Sequence, residues 1–235
     1  MRVVIVGGTT GIGLETASLL AGSGAEVVIT GRSPERVEQA LKQLGDRASG
    51  EAVDACDSAA MRAFFARIGE IDHVVITVTG RGGAGPLRTL TADAIAQAAA
   101  GKLIPHLLTA QAALDVLAPT GSITFVTAAS AGAALPGVAA LAAINGGIES
   151  AVPGLAVELA PLRVNAVSPG VIDTEWWSVL DEETRAAVFE SSAARATVGR
   201  VGTAHDVAST IAFLVNNSFV TGTVLTVDGG GRLKA

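Results

Sequence analysis

Close to the N-terminus an apolar run, Val3-Val4-Ile5-Val6, stops at Gly7-Gly8-Thr9-Thr10-Gly11-Ile12-Gly13, and an amphipathic helical pattern follows through Leu20. A strand that turns through glycines directly into a helix leaves few folds open. Glycines permit positive φ and close backbone approach, and the helix start aims unpaired N–H groups and a positive dipole end at whatever lies above the turn. The spacing is G-x-x-x-G-x-G, distinct from G-x-G-x-x-G, and its position between strand and helix is what gives it meaning. Gly7, Thr9, Thr10, Gly11, Ile12 and Gly13 are therefore expected to cradle a pyrophosphate.

The same alternation continues along the chain. Further β-branched runs at Val27–Thr30, His73–Val78, Ser122–Thr127, Arg163–Val167 and Val224–Val227 are mostly continuously apolar, as parallel strands covered on both faces are. Helical patterns lie between them at Pro34–Leu44, Ala59–Ile68, Ala92–Leu117, Val138–Leu159 and Ala204–Asn216. This predicts an α/β fold: one Rossmann-like, doubly wound parallel sheet of about seven strands with helices on both faces, residues 1–235 forming a single domain. Ligands are expected in the crevice at the carboxyl ends of the strands. The stretch 173–199, which carries Trp176 and Trp177, looks like an insertion and is expected to act as a substrate lid.

Charge and cysteine content narrow the function classes. With 16 Lys and Arg against 22 Asp and Glu, net charge −6, and no basic cluster, nucleic acid is not an expected partner. Cys56 stands alone, so no intrachain disulfide forms, no Cys/His spacing suggests a metal, and a reducing cytoplasmic setting is expected. The uncharged stretch 116–148 is broken by Pro119, Gly121, Gly132, Pro136 and Gly137, which predicts a buried strand and a packed helix in place of a membrane span.

About twenty residues beyond the glycine turn, where an NAD site places a carboxylate on the adenosine ribose, the second strand ends in Thr30-Gly31-Arg32-Ser33. Arg32 offers a guanidinium to a 2′-phosphate. Ser33-Pro34 reads as an N-cap followed by proline at the first helical position. NADP(H) is expected in preference to NAD(H).

Taken in order, these features resemble the short-chain dehydrogenase/reductase family over nearly the whole chain. Gly7, Gly11 and Gly13 match its phosphate loop, and Ser168-Pro169-Gly170-Val171-Ile172-Asp173-Thr174 is similar to its Pro-Gly loop beside the nicotinamide. Gly199-Arg200-Val201-Gly202 and Thr221 to Gly230 match later landmarks. The resemblance implies cofactor contacts at Asp54, Ala55, Thr79, Gly80, Pro169, Gly170, Val171 and Thr174. It also exposes a departure, because the family's Tyr-x-x-x-Lys pair falls on Leu141 and Asn145, and the chain contains no tyrosine. The family's substrate-orienting serine falls on Ala128, between Thr127 and Ser130, and its helix-four Asn falls on Lys102.

Asn145 retains hydrogen bonding to ribose hydroxyls but has no titratable proton. Lys102 is the expected proton donor, since desolvation lowers a lysine toward the working range and its ammonium stabilises a developing alkoxide. A snorkelling surface lysine is the alternative. Ser130 and Thr127 can orient a carbonyl, Trp176 and Trp177 either line an apolar pocket or pack beneath the insertion, and His106 is expected to pack. His205-Asp206 reads as capping chemistry. The expected function is reduction of a small or mid-sized carbonyl or enone with NADP(H). The alternatives are a cofactor-binding sensor or scaffold without redox chemistry, and an isomerase or cyclase reusing the pocket. Long, Ala-rich, sparsely charged helices predict a homotetramer or homodimer.

Overall fold

The computed structural model describes residues 1–80 and 82–233. Its main sheet has seven parallel strands in the order β3-β2-β1-β4-β5-β6-β9, formed by β1 (Arg2–Val6), β2 (Glu26–Gly31), β3 (Ala48–Ala52), β4 (Ile71–Ile76), β5 (Leu117–Val126), β6 (Arg163–Pro169) and β9 (Val224–Val227). A two-residue ladder pairs β7 (Ile172–Asp173) with β8 (Gly202–Thr203). The helices are α1 (Gly11–Gly22), α2 (Pro34–Leu44), α3 (Ser58–Ile68), α4 (Ala92–Gly101), α5 (Leu103–Ala113), α6 (Ala139–Glu158), α7 (Glu182–Arg195) and α8 (Ala204–Asn216). Because β1 pairs with β2 on one side and β4 on the other, winding reverses at β1, and a crevice opens above its carboxyl end.

Each face of the sheet has its own apolar core. Val3, Ile5, Val27, Ile29 and Val75 pack against α1 and α8 through Ala17, Leu20, Val207 and Ile211. On the other face Val4, Val74, Ile123 and Phe125 meet α3, α5 and α6 through Phe64, Phe65, Ala113 and Ile148. The continuous apolar runs are thus explained: successive side chains point to opposite faces, and both faces are covered. Arg163, a buried charge on β6, donates to the carbonyls of Leu214 and Val215 at the end of α8, at 2.7 and 3.0 Å. Those carbonyls have no intrahelical donor.

One strand lies outside the β-branched runs of the sequence, and one expected helix needs correction. The strand β3, Ala48-Ser49-Gly50-Glu51-Ala52, has no β-branched residue. As an edge it pairs only with β2, and Gly50 lies so close that a Cβ there would stand 2.4 Å from the Ile29 carbonyl oxygen. The single helix expected over Ala92–Leu117 is two helices interrupted at Lys102, and Leu117 already belongs to β5. Pro105 explains the interruption: it has no N–H for the Gly101 carbonyl, and its ring crowds that same carbonyl. Hydrogen bonding resumes with His106 N on the Lys102 carbonyl, at 3.0 Å.

Helix α6 is long and apolar enough by length and composition to cross a membrane. Here it packs into the core through Ile148 and Val152, following β5 as the broken stretch 116–148 predicts.

Candidate functional site

A cleft of about 1130 Å³ opens at the carboxyl ends of the strands, with the glycine turn forming one wall. Gly7 takes φ +93°, and a Cβ on Gly13 would fall 2.2 Å from the Gly7 carbonyl oxygen, so only glycine lets α1 start this close to β1. Thr10 is the N-cap of α1 but makes no side-chain cap, and no acidic residue fills the first turn. The N–H groups of that turn therefore remain available to an anion, and Thr10, Gly11 and Ile12 line the cleft. These are the features a dinucleotide pyrophosphate needs. Thr9 packs beneath the turn against Gly31.

At the end of β2, Arg32 and Arg36 both line the cleft, and neither has a salt bridge among the described residues. Ser33 caps α2 by accepting from Arg36 N at 3.2 Å, as its position before Pro34 predicts. Asp54 and Ala55 sit beyond β3, next to Gly31 through the Val53 N to Gly31 O bond of 2.9 Å, and neither lines the cleft. Asp54 instead accepts from Cys56 N at 3.0 Å. Thr79, Gly80, Pro169, Gly170, Val171 and Thr174 do line it. Gly80 presses on Gly101, and Thr174 on Gly11, closing the walls around the floor.

The floor holds Lys102. The backbone break after α4 lets its side chain turn inward, where Nζ donates to the Thr127 carbonyl at the end of β5, at 3.0 Å. It lines the cleft rather than reaching outward along the helix surface. Burial pushes its ammonium down to about 8, and the Glu149 carboxylate acts in the opposite direction. His106, one turn on, is buried, with Nδ1 2.9 Å from the Lys102 carbonyl and Nε2 3.2 Å from the Val126 carbonyl. Burial, helped by the Lys102 charge, lowers it to about 3, so it is a neutral packing residue as expected.

Glu149 is the polar residue that sequence reasoning missed. Its Oε1 accepts from Thr127 Oγ1 and from Ser168 Oγ, both at 2.7 Å, tying the ends of β5 and β6 together beneath Lys102. The available signal was an acid on the apolar helix α6, one turn beyond Asn145 and turned toward the same interior. Asn145 is itself buried, and its Nδ2 donates to Ser130 Oγ at 3.1 Å and to the Leu141 carbonyl at 3.0 Å. Reversing the amide would set Oδ1 against that carbonyl, so Leu141 fixes its orientation. With both amide hydrogens committed, Ser130 must accept, and its own O–H is free to donate into the cleft it lines. Asn145 does not line the cleft, and its Oδ1 has no partner among the described residues.

Over the open side, a short 3-10 turn at Glu175–Val179 brings Trp176 and Trp177 to the cleft. Trp177 is pinned by donating Nε1 to the Ile172 carbonyl at 2.9 Å and by edge contact with Phe189, while Trp176 stays exposed. Thr203 and Asp206 form a capping box at α8, so of the pair His205-Asp206 the capping role falls on Asp206, whereas His205 Nδ1 lies 2.9 Å from Glu15 Oε1. No cluster of metal-ligating side chains is found among the described residues.

A family model described as enoyl-(acyl carrier protein) reductase matches residues 6–231. The short-chain dehydrogenase/reductase ATR9 of Stachybotrys chlorohalonatus is 31% identical, covering 99% of this chain and 97% of its own. A crystal structure of a small-chain dehydrogenase in complex with NADPH superposes with a TM-score of 0.86 at 32% identity, covering 99% of both chains. The MalC reductase/Diels-Alderase of Malbranchea aurantiaca superposes at 0.89 with 27% identity, covering 98% of this chain and 95% of that one.

Proposed function

The chain belongs to the short-chain dehydrogenase/reductase family, an oxidoreductase family, and from that premise we propose that it reduces a small or mid-sized carbonyl or enone with NADPH, using Lys102 as proton donor. The observation that carries this reading is the Lys102 amine on the cleft floor, held at 3.0 Å by the Thr127 carbonyl. Bound nicotinamide would supply the hydride, leaving the protein to orient the substrate and deliver one proton. Ser130 donates its free O–H to the carbonyl oxygen, Asn145 keeps that hydroxyl turned outward, and the Lys102 ammonium releases a proton to the developing alkoxide or enolate. Glu149 holds the strand ends and favours the protonated lysine.

NADP(H) is favoured over NAD(H) because Arg32 and Arg36 offer unpaired guanidinium groups where a 2′-phosphate would lie and Gly31-Arg32-Ser33 has no carboxylate. Gly7, Thr9, Thr10, Gly11, Ile12 and Gly13 would hold the pyrophosphate, with Ser33, Asp54 and Ala55 at the adenosine end and Thr79, Gly80, Pro169, Gly170, Val171 and Thr174 toward the nicotinamide. The segment 173–199 serves as a lid over a single domain, and exposed apolar residues on α4 and α5 support a homodimer or homotetramer. The lone Cys56 is consistent with work in the cytoplasm.

The deciding experiment supplies NADPH deuterated at the transferable position to a panel of ketones and enones. Deuterium in the product supports the proposal. Tight NADPH binding with no transfer from any substrate class would leave the sensor or scaffold reading. Turnover without deuterium would favour a second reading, a non-redox cyclase or isomerase, which the missing tyrosine and the structural likeness to a reductase/Diels-Alderase both support.

A further inference from the structure

The charge of the cleft opposes that of the chain. Although the net charge is −6, the cleft is lined by Arg32, Arg36, Lys102, Arg195, Arg200 and Arg232 against Glu175, Asp206 and Asp228. Pairing sorts these groups. Arg200 is taken up by Asp206 through two parallel bonds of 2.7 and 2.9 Å. Arg32 and Arg36 stand at the adenosine end, beyond the glycine turn. Two guanidinium groups remain at the opposite end.

Arg195, in the last turn of α7, is half-buried, and its guanidinium has no hydrogen bond or ion pair among the described residues. Arg232 commits only Nε, 3.5 Å from Asp228 Oδ2, and that carboxylate also accepts the N–H groups of Gly230 and Arg232 at 2.9 Å. Its Nη1 lies over Gly132, 2.9 Å from where a Cβ would stand, two residues from Ser130. The segments carrying the two arginines pack together: Val198 N donates to the Gly229 carbonyl at 3.1 Å, and a Cβ on Gly229 would meet Ala196 at 3.5 Å. Both arginines, carried by adjoining segments, line the cleft, as do Trp176 and Trp177.

The Arg195 guanidinium has no counter-ion among the described residues and Arg232 keeps both terminal nitrogens clear of Asp228, so an incoming anion relieves the cost of desolvating them, and a planar fork suits the two oxygens of a carboxylate. We propose that Arg195 and Arg232 bind a carboxylate on the substrate, making the ligand an apolar oxo-acid whose carbonyl faces Ser130 and whose acid group lies at the far end. Calling that ligand the substrate rests on the reductase reading above; the anion site itself does not.

The test uses a matched pair of probes, 4-oxo-4-phenylbutanoate and its methyl ester, titrated by calorimetry into the full chain saturated with NADP+. The acid is expected to bind about 10-fold or more tightly than the ester, a preference that shrinks with added salt. Arg195→Gln and Arg232→Gln should each reduce it, and the double variant should bring the two probes within about 2-fold. Unchanged NADP+ affinity in the variants shows that the fold is intact. Equal affinity for acid and ester, no binding of the acid, or a preference surviving in the double variant overturns the proposal. If the wild type fails to bind NADP+, the oxidoreductase reading falls instead and takes this substrate assignment with it.

Discussion

At Lys102 one side chain meets a structural demand and, in the proposed reaction, a chemical one. Its ammonium is stripped of most of its water yet touches a carbonyl and feels the Glu149 carboxylate, which together leave it protonated at neutral pH and deprotonated a little above. Because the group titrates at about 8, the rate of reduction is expected to fall as pH rises through that value, since the acid form disappears. Lys102→Met should lower kcat/KM by roughly 10²- to 10⁴-fold and abolish the alkaline limb. Glu149→Gln removes an attraction that favours the charged lysine, so the limb should move to lower pH. A pH–rate series on the three proteins checks this, and an unmoved limb would show that Lys102 is not the titrating donor. The residue types at 102, 130 and 145 were legible in the chain, but their relations were not. Nothing in the spacing showed that Asn145 serves Ser130, or that Glu149 ties Thr127 to Ser168.

Among the elements, the break between α4 and α5 has the clearest consequence. It arises because Pro105 denies the Gly101 carbonyl its donor, and it is this break that frees Lys102 from the helical path. Pro105→Ala restores a donor for that carbonyl and is expected to change unfolding free energy by no more than about 1 kcal/mol while lowering turnover, because the lysine is drawn toward a regular helix. Urea unfolding and steady-state rates separate the two effects; unchanged turnover would mean that the tertiary contacts of Lys102 alone hold it. The glycine turn offers the complementary case. Gly13→Ala places a Cβ 2.2 Å from the Gly7 carbonyl oxygen, so α1 must retreat, and loss of NADP(H) affinity should exceed any loss of helix content measured by circular dichroism. Helices α2 and α8 were readable to the residue because capping groups mark their starts, whereas β3 was not, because an edge strand can be held by backbone pairing without an apolar signature.

For the molecule as a whole, buried histidines set the acid limit. His73 bonds Ser122 across β4 and β5 at 2.8 Å and is held at about 4 by burial and then by the Arg163 charge; His106 lies at about 3. Unfolding returns both to about 6.5, so below that pH the unfolded chain binds protons the folded one refuses. Stability should fall as pH drops from about 6.5 toward 4, by at most about 1.4 kcal/mol per unit for each histidine, and His73→Asn should make the slope in a urea-denaturation series shallower. The surface carries a second whole-molecule expectation. Ile95, Ile104 and Leu107 are 41, 48 and 37% exposed on the adjoining helices α4 and α5, an apolar surface suited to a second copy of the chain. Light scattering at micromolar concentration should find a dimer or tetramer, and a monomer there would refute it.

Local chemistry was already written into the linear chain: where glycine alone tolerates a turn, which runs are apolar on both faces, where serine and threonine start helices, and that no phenol exists to donate a proton. Such properties depend on near neighbours and on residue type. The hydrogen bonds that link Lys102 to Thr127, Glu149 to Thr127 and Ser168, and Asn145 to Ser130 join the α4–α5 junction, β5, β6 and α6, and Arg195 and Arg232, which line one cleft, come from α7 and from the turn at Gly231–Leu233. Distances between groups so far apart in sequence follow from how helices settle on a twisted sheet, and only the packed molecule sets them.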